Sequence, residues 1–207
     1  MHNQLVQQGE WYGSNHFFFY KKRGLQITGS SIGIIGAGRI ASRVATMLAG
    51  FSPKEILGHS RSRTNGPSEQ TVPMWRWAEH TDEVFQKSDI ISLHCPLTPE
   101  THHIVNEKTL SMMKPGGLIV NASRGPVVDE QALRAAVDSG HIAGAALDVL
   151  EHEPMVRNNP SPCIGHENIV ITPHIGWHTH ESQQGLLDTT LNNIVTFLEG
   201  KPCNVVS

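Results

Sequence analysis

Six short apolar runs constrain this chain more than anything else in it. They are Ile32-Gly33-Ile34-Ile35, Glu55-Ile56-Leu57-Gly58, Asp89-Ile90-Ile91-Ser92-Leu93, Gly117-Leu118-Ile119-Val120, Ala143-Gly144-Ala145-Ala146-Leu147 and Ile169-Val170-Ile171. Each is continuous rather than alternating, and rich in β-branched or small residues. Strands read this way when helices cover both faces of a parallel sheet. Between the runs lie stretches suited to helices, residues 39–49, 81–86, 106–112, 129–139 and 179–198, with breaks at Pro115-Gly116-Gly117 and Ser139-Gly140. This alternation predicts an α/β fold of the Rossmann type, a doubly wound parallel sheet. The first thirty residues do not share the pattern. They are polar and aromatic, and read as a short helix over residues 3–11 followed by a loop.

Composition narrows the class. At 207 residues the chain is long enough for one sizeable domain. A hydrophobic content of 38% with 17% charged residues fits a globular protein rather than a disordered one. The net charge of −3, with Lys21-Lys22-Arg23 as the one basic run, argues against nucleic acid as a partner. Cys95, Cys163 and Cys203 lie far apart without C-x-x-C spacing, which points to a reducing compartment. The apolar run Phe17-Phe18-Phe19-Tyr20 is too short to span a bilayer or to act as a secretory core. A cytoplasmic protein that makes no membrane contact is expected.

The first apolar run leads directly into Gly36-Ala37-Gly38-Arg39-Ile40-Ala41, of the form G-x-G-x-x-A. The first glycine permits a tight turn. The second leaves room for a pyrophosphate against the backbone. The third position needs a small residue so that helix and strand pack closely, and Ala41 meets that need. The following helix start offers free N–H groups and a partial positive charge. Alone this hexapeptide is weak evidence. A strand before it, a helix after it and a second strand at βαβ distance make it a dinucleotide site, with Gly36, Gly38, Arg39 and Ile40 as candidate contacts.

Sites for NAD commonly carry an Asp or Glu at the end of the second strand, on the ribose hydroxyls. Here the run ends in Gly58-His59-Ser60-Arg61-Ser62-Arg63, without a carboxylate. An acid would repel a 2′-phosphate, whereas a hydroxyl followed by guanidinium groups would bind one. NADP is therefore expected in preference to NAD, held by Ser60 and Arg61 with Arg63 as a third contact. An exposed basic loop is the alternative.

An ordered series of motifs then becomes recognisable. It comprises Leu93-His94-Cys95-Pro96-Leu97-Thr98 with Thr101, Met113-Lys114-Pro115-Gly116-Gly117, and Asn121-Ala122-Ser123-Arg124-Gly125 with Val128-Asp129-Glu130. It continues with Ala145-Ala146-Leu147-Asp148-Val149, Glu153-Pro154 and Thr172-Pro173-His174-Ile175-Gly176. The series resembles the D-2-hydroxyacid dehydrogenase family, of the glyoxylate/hydroxypyruvate reductase kind, over nearly the whole chain. The resemblance implies an oxidoreductase that passes a hydride between NAD(P)H and a small 2-keto or 2-hydroxy acid. It implies that Arg124 binds the substrate carboxylate and polarises the carbonyl. His174 would be the acid/base, and Glu153 would hold that imidazole and favour its protonated form. Asp148 would sit near the nicotinamide. Cys95, Pro96 and Thr101, the backbone at Ala122 and Ser123, and Gly176 within the histidine motif would line the cofactor cleft. A guanidinium fork suits a planar 2-oxo carboxylate, and a positioned imidazole can neutralise a developing alkoxide.

Family members place a flavodoxin-like substrate domain before the cofactor domain. Here only about thirty residues precede the first strand, and they resemble the inter-domain helix and linker. The expected division is therefore 1–30 as helix and linker and 31–207 as dinucleotide-binding domain, with the substrate domain largely absent and turnover poor without it. The family also implies a homodimer. The segment from Gly36 to Glu55 further resembles formate dehydrogenases, which pair the active histidine with a glutamine; Glu153 favours 2-hydroxyacid chemistry instead. A non-catalytic dinucleotide-sensing or corepressor-like scaffold is the competing function. No metal site is expected: His174, His178, His180 and Glu181 do not promise convergence on one point, and His102-His103 read as exposed loop residues.

Overall fold

Ile32 and Ile34 enter one buried cluster while Ile35 enters another, so β1 (Ser31–Ile35) is covered on both faces, as its unbroken apolar run requires. The computed structural model describes residues 2–12, 14–20, 24–63, 66–155 and 160–205. The basic run Lys21-Lys22-Arg23 lies outside them. After α1 (His2–Gln7) and β1 come α2 (Arg39–Ala49), β2 (Glu55–His59), β3 (Trp75–Trp77), α3 (Thr81–Lys87) and β4 (Ile90–Leu93). Then follow α4 (Glu107–Met112), β5 (Gly117–Asn121), a 3₁₀ turn (Gly125–Val127), α5 (Glu130–Asp138), β6 (Ile142–Leu147), β7 (Ile169–Ile171) and α6 (His180–Leu198).

The strands form one seven-stranded sheet in the order β3-β2-β1-β4-β5-β6-β7, and every pairing is parallel. This is the doubly wound α/β sheet expected from the alternation. The chain builds outward from β1 to β3, then returns to lay β4 on the other side of β1. That reversal opens a crevice at the carboxyl ends of β1 and β4, the place where such sheets take ligands.

Two differences from the expected elements have local causes. The first helix closes at Gln7 rather than at Trp11: the Glu10 N–H turns back to the Leu5 carbonyl at 3.0 Å, the pairing that ends a helix. β3 was not expected. Three residues carry too little periodicity to read, yet Trp75 is fully buried against β2 and its ring meets Trp77 edge-on at 5.1 Å. Burying such a ring contributes about 3 kcal/mol, enough to make Trp-Arg-Trp the edge strand.

The chain divides into two compact units, Met1–Ile171 and Thr172–Ser207. The first holds the whole sheet. The second is built on α6, whose start is capped by the Thr179 hydroxyl accepting from the Ser182 N–H at 3.1 Å. α6 buries none of its residues and exposes Leu187, Leu191, Ile194 and Phe197. Among the described residues, no helix is long and apolar enough to cross a membrane.

Candidate active site

The turn after β1 is made by removing side chains. Gly36 has φ +90°, in the left-handed region, and a Cβ there would overlap the backbone of Cys95 at the end of β4. At Gly38 an added Cβ would meet nothing within 4 Å, so the space above the turn is open. Ala41 is fully buried, which lets α2 sit close on the sheet.

Beside this turn, at the switch point, lies a cavity of about 440 Å³. Of the residues expected at a cofactor, Gly36, Ser60, Arg61, Cys95, Pro96 and Thr101 line it together. Arg39 does not: it faces a separate depression beside α2 with Arg43 and Thr46. Ile40 is 72% exposed on the first turn of the helix and does not line this cavity. Arg63 is turned aside as well. Its Nη2 donates to the Ala78 carbonyl at 3.2 Å, and its guanidinium stacks 5.4 Å from the Trp77 ring centre.

The cavity contains groups that the sequence did not single out. His59, at the end of β2, has a buried Nδ1 with no hydrogen-bond partner among the described residues. Thr98 and Glu100 come from the loop after β4. The Glu100 carboxyl is held below its ordinary range, first by the Thr98 hydroxyl and lastly by the Arg61 charge. Thr101 holds this loop closed: its hydroxyl donates to the Pro96 carbonyl at 2.6 Å and accepts from the Thr98 N–H at 2.8 Å. Burial pushes the Cys95 thiol up, so it is a packing group rather than a nucleophile.

The turn after β5 is built the other way, by a side chain. Asn121 is 1% exposed. Its Oδ1 accepts from the Ser123 N–H at 3.0 Å and the Ser123 hydroxyl at 2.9 Å, and its Nδ2 donates to the Arg124 carbonyl at 3.0 Å. The Asn121 carbonyl accepts from the Asp148 N–H at 2.8 Å, which joins the ends of β5 and β6. Ala122 and Arg124 are left exposed on this knot. The Arg124 Nη1 rests on the Ser123 carbonyl at 2.6 Å.

Gly125 then packs so closely that a Cβ would collide with the Leu150 carbonyl. The segments carrying Arg124 and Glu153 therefore touch. The Glu153 Oε1 accepts from the Leu150 N–H at 2.9 Å. His174 and Gly176 belong to the second unit. His174 is exposed, with φ +55°, and its N–H bonds to the Thr172 carbonyl at 3.0 Å.

His103 departs from the exposed loop read from sequence. It is half-buried, and its Nε2 lies 2.8 Å from Glu151 Oε1. The three cysteines are free thiols.

Comparison with known proteins follows the same line. The profile described as D-isomer specific 2-hydroxyacid dehydrogenase, NAD binding domain, matches residues 1–176. A hydroxypyruvate reductase of Blautia hydrogenotrophica is 39% identical over 206 residues, covering 100% of this chain and 62% of its own. A glyoxylate reductase of Thermococcus litoralis is 39% identical, over 98% of this chain and 60% of its own. The crystal structure of a glyoxylate reductase from Paecilomyes thermophila superposes with a TM-score of 0.82 at 33% identity, over 97% of this chain and 57% of that one. An acyclic imino acid reductase in complex with NADPH and D-Arg gives 0.82 at 32% identity, over 100% and 62%. The chain thus spans about three fifths of the length of the relatives it matches.

Proposed function

Since this chain belongs to the D-isomer-specific 2-hydroxyacid dehydrogenase family through its NAD-binding domain, we propose that it holds the dinucleotide for hydride transfer to and from a small 2-keto acid. The observation that carries this reading is the cavity at the switch point, with a bare glycine turn at one side and Ser60 and Arg61 at the other. The names of the relatives, hydroxypyruvate and glyoxylate reductase, support a short 2-keto acid as substrate. The bound nicotinamide would supply the hydride. The protein's own groups bind, orient and move a proton. Gly36 and Gly38 admit the diphosphate. Ala122 and Ser123 present backbone at the nicotinamide end, near Asp148. Arg124 grips the substrate carboxylate. His174 is the proton donor to the carbonyl oxygen in this reading, and Glu153 is the third member of the catalytic set.

NADP is the preferred cofactor in this reading. The second strand ends without a carboxylate, and Arg61 with Ser60 offers charge-assisted hydrogen bonds to a 2′-phosphate. His59 lines the same cavity. Fluorescence titration of this chain with NADPH and NADH tests it. NADPH should bind roughly tenfold tighter, and Arg61→Ala should abolish the difference. Tighter binding of NADH would remove the NADP reading, and binding of neither would remove the whole proposal.

Arg124 stands exposed to water in this chain, where a guanidinium polarises a carbonyl weakly, since turnover needs a water-excluded centre. Slow reduction of glyoxylate or hydroxypyruvate by this chain alone is therefore expected, in keeping with cofactor binding as its share of the reaction. The apolar residues exposed on α6 support a homodimer, for which light scattering at twice the chain mass is the test. A cytoplasmic setting is consistent with free thiols.

A further inference from the structure

Adjacent residues in a loop usually send their side chains apart. His102 and His103 do not: their ring centres lie 4.0 Å apart with the planes tilted by 30°. The cause is backbone. His103 has φ +49°, in the left-handed region, which swings its side chain alongside that of its neighbour. Glu151 arrives from the segment after β6, and its Oε1 lies 2.8 Å from His103 Nε2. One donor nitrogen from each histidine and one carboxylate oxygen lie within 4.8 Å of one another, the only such group of three among the described residues.

The three residues stand on backbone that is already fixed. The His103 N–H donates to the Pro126 carbonyl at 2.9 Å, and the His103 carbonyl accepts from Asn106 Nδ2 at 2.7 Å. The Glu151 N–H donates to Glu130 Oε1 at 2.6 Å. Glu130 is 4% exposed, so a second carboxylate stands fixed behind the first. No role in dinucleotide or keto-acid chemistry uses this cluster.

We propose that His102, His103 and Glu151 form a site for a divalent transition-metal ion of the zinc class. Two imidazole nitrogens and one carboxylate oxygen are the donors such an ion selects over magnesium or calcium. Bonds of about 2.0–2.2 Å place donors about 3.4 Å apart around a tetrahedral ion. The 2.8 Å pair opens slightly to that spacing, and the exposed His102 rotates inward. A fourth position remains for water. Bound metal clamps the loop after β4 to the segment after β6, next to the turn that carries Arg124 and two residues before Glu153. The ion is therefore a structural tie beside the candidate catalytic groups.

Zinc titrated into the purified, tag-free chain by calorimetry, with cobalt as a visible-absorption probe, tests the site. A stoichiometry of one, at least tenfold weaker binding in His102→Ala and in Glu151→Gln, and slowed amide exchange at residues 100–105 and 150–153 are expected. Saturating zinc should also raise Tm by about 5 °C. His102→Ala removes an exposed ring and keeps the fold, so its result stands even where Glu151→Gln is destabilised. Equal affinity in both variants would place the metal on other histidines and overturn the proposal, as would no binding at all. The readouts involve neither NADPH nor turnover, so they stand or fall apart from the proposed function.

Discussion

The turns that follow β1 and β5 face the same end of the same parallel sheet and are made by opposite means. After β1, side chains are taken away. Gly36 lies against the Cys95 backbone, Gly38 opens onto free space, and Ala41 is buried. After β5, one buried side chain supplies the order: Asn121 makes three hydrogen bonds across its own turn and leaves Arg124 projecting. A bare turn suits a ligand that must touch backbone, as a diphosphate does. A knotted turn suits a side chain that must be held at a fixed place, since an arginine loses less freedom on binding when its base is rigid.

The difference can be broken most forcefully at Gly36. Gly36→Val places a β-branched residue at φ +90° against the Cys95 backbone. The expected cost is about 3 kcal/mol or more in stability, with loss of NADPH binding beyond a hundredfold, read by denaturant melts and fluorescence titration. Asn121→Ala acts on the other turn. It strips partners from the Ser123 N–H and the Arg124 carbonyl, at about 1–3 kcal/mol. Its expected signature is a Tm lowered by about 5 °C with NADPH affinity kept within about threefold. If Asn121→Ala weakened NADPH as much as Gly36→Val, the two turns would not be separate devices.

The bare turn was legible in the sequence because its chemistry is local. Glycines at fixed offsets between an apolar run and a helix are enough to read it. The knotted turn was legible only through the family motif, since nothing in Asn121-Ala122-Ser123-Arg124-Gly125 says that the asparagine is buried. The doubly wound sheet was legible because six of its strands are continuous apolar runs. β3 was not, because three residues carry no period and Trp75 gains its place by packing on β2. Glu100 and His59 reach the cleft, and Arg39 and Arg63 turn from it, through folding of loops that no spacing encodes. The pairing of His103 with Glu151 spans 48 residues and so left no local trace.

Acid should act through His94, a half-buried histidine that follows the strand beside the first turn. His94 follows β4: its backbone lies against Gly36 and its ring Nε2 lies 2.9 Å from the Ser92 hydroxyl, while Asn121 carries no proton to titrate. Burial holds the His94 imidazole below its ordinary value of 6.5. The unfolded chain therefore takes up a proton that the folded chain resists. The stability that this group contributes is present in full above the unfolded value and is lost as pH falls below it. Tm should drop by a few degrees between pH 7 and pH 5.5, and His94→Asn should lose part of that dependence. An identical pH profile in the variant would assign the acid sensitivity to the other histidines.

The smallest effect is expected at Glu100, and it sharpens what the bare turn leaves to its neighbours. The glycines of the turn carry no charge that could tell NADP from NAD, so in the proposed reading discrimination falls to Ser60 and Arg61, with Glu100 in the same cavity. Glu100 is ionised at neutral pH, and the Thr98 hydroxyl, its own backbone and, least, the Arg61 charge lower its carboxyl further. An ionised carboxylate there draws on the same guanidinium that a 2′-phosphate would use, and it repels the phosphate through solvent that screens it only in part. Glu100→Gln keeps the shape and the Thr98 contact while removing the charge. NADPH should then bind roughly two- to fivefold tighter and NADH less than twofold, with the gap closing in high salt. Equal gains for both cofactors would mean that Glu100 shapes the cleft without sensing the phosphate.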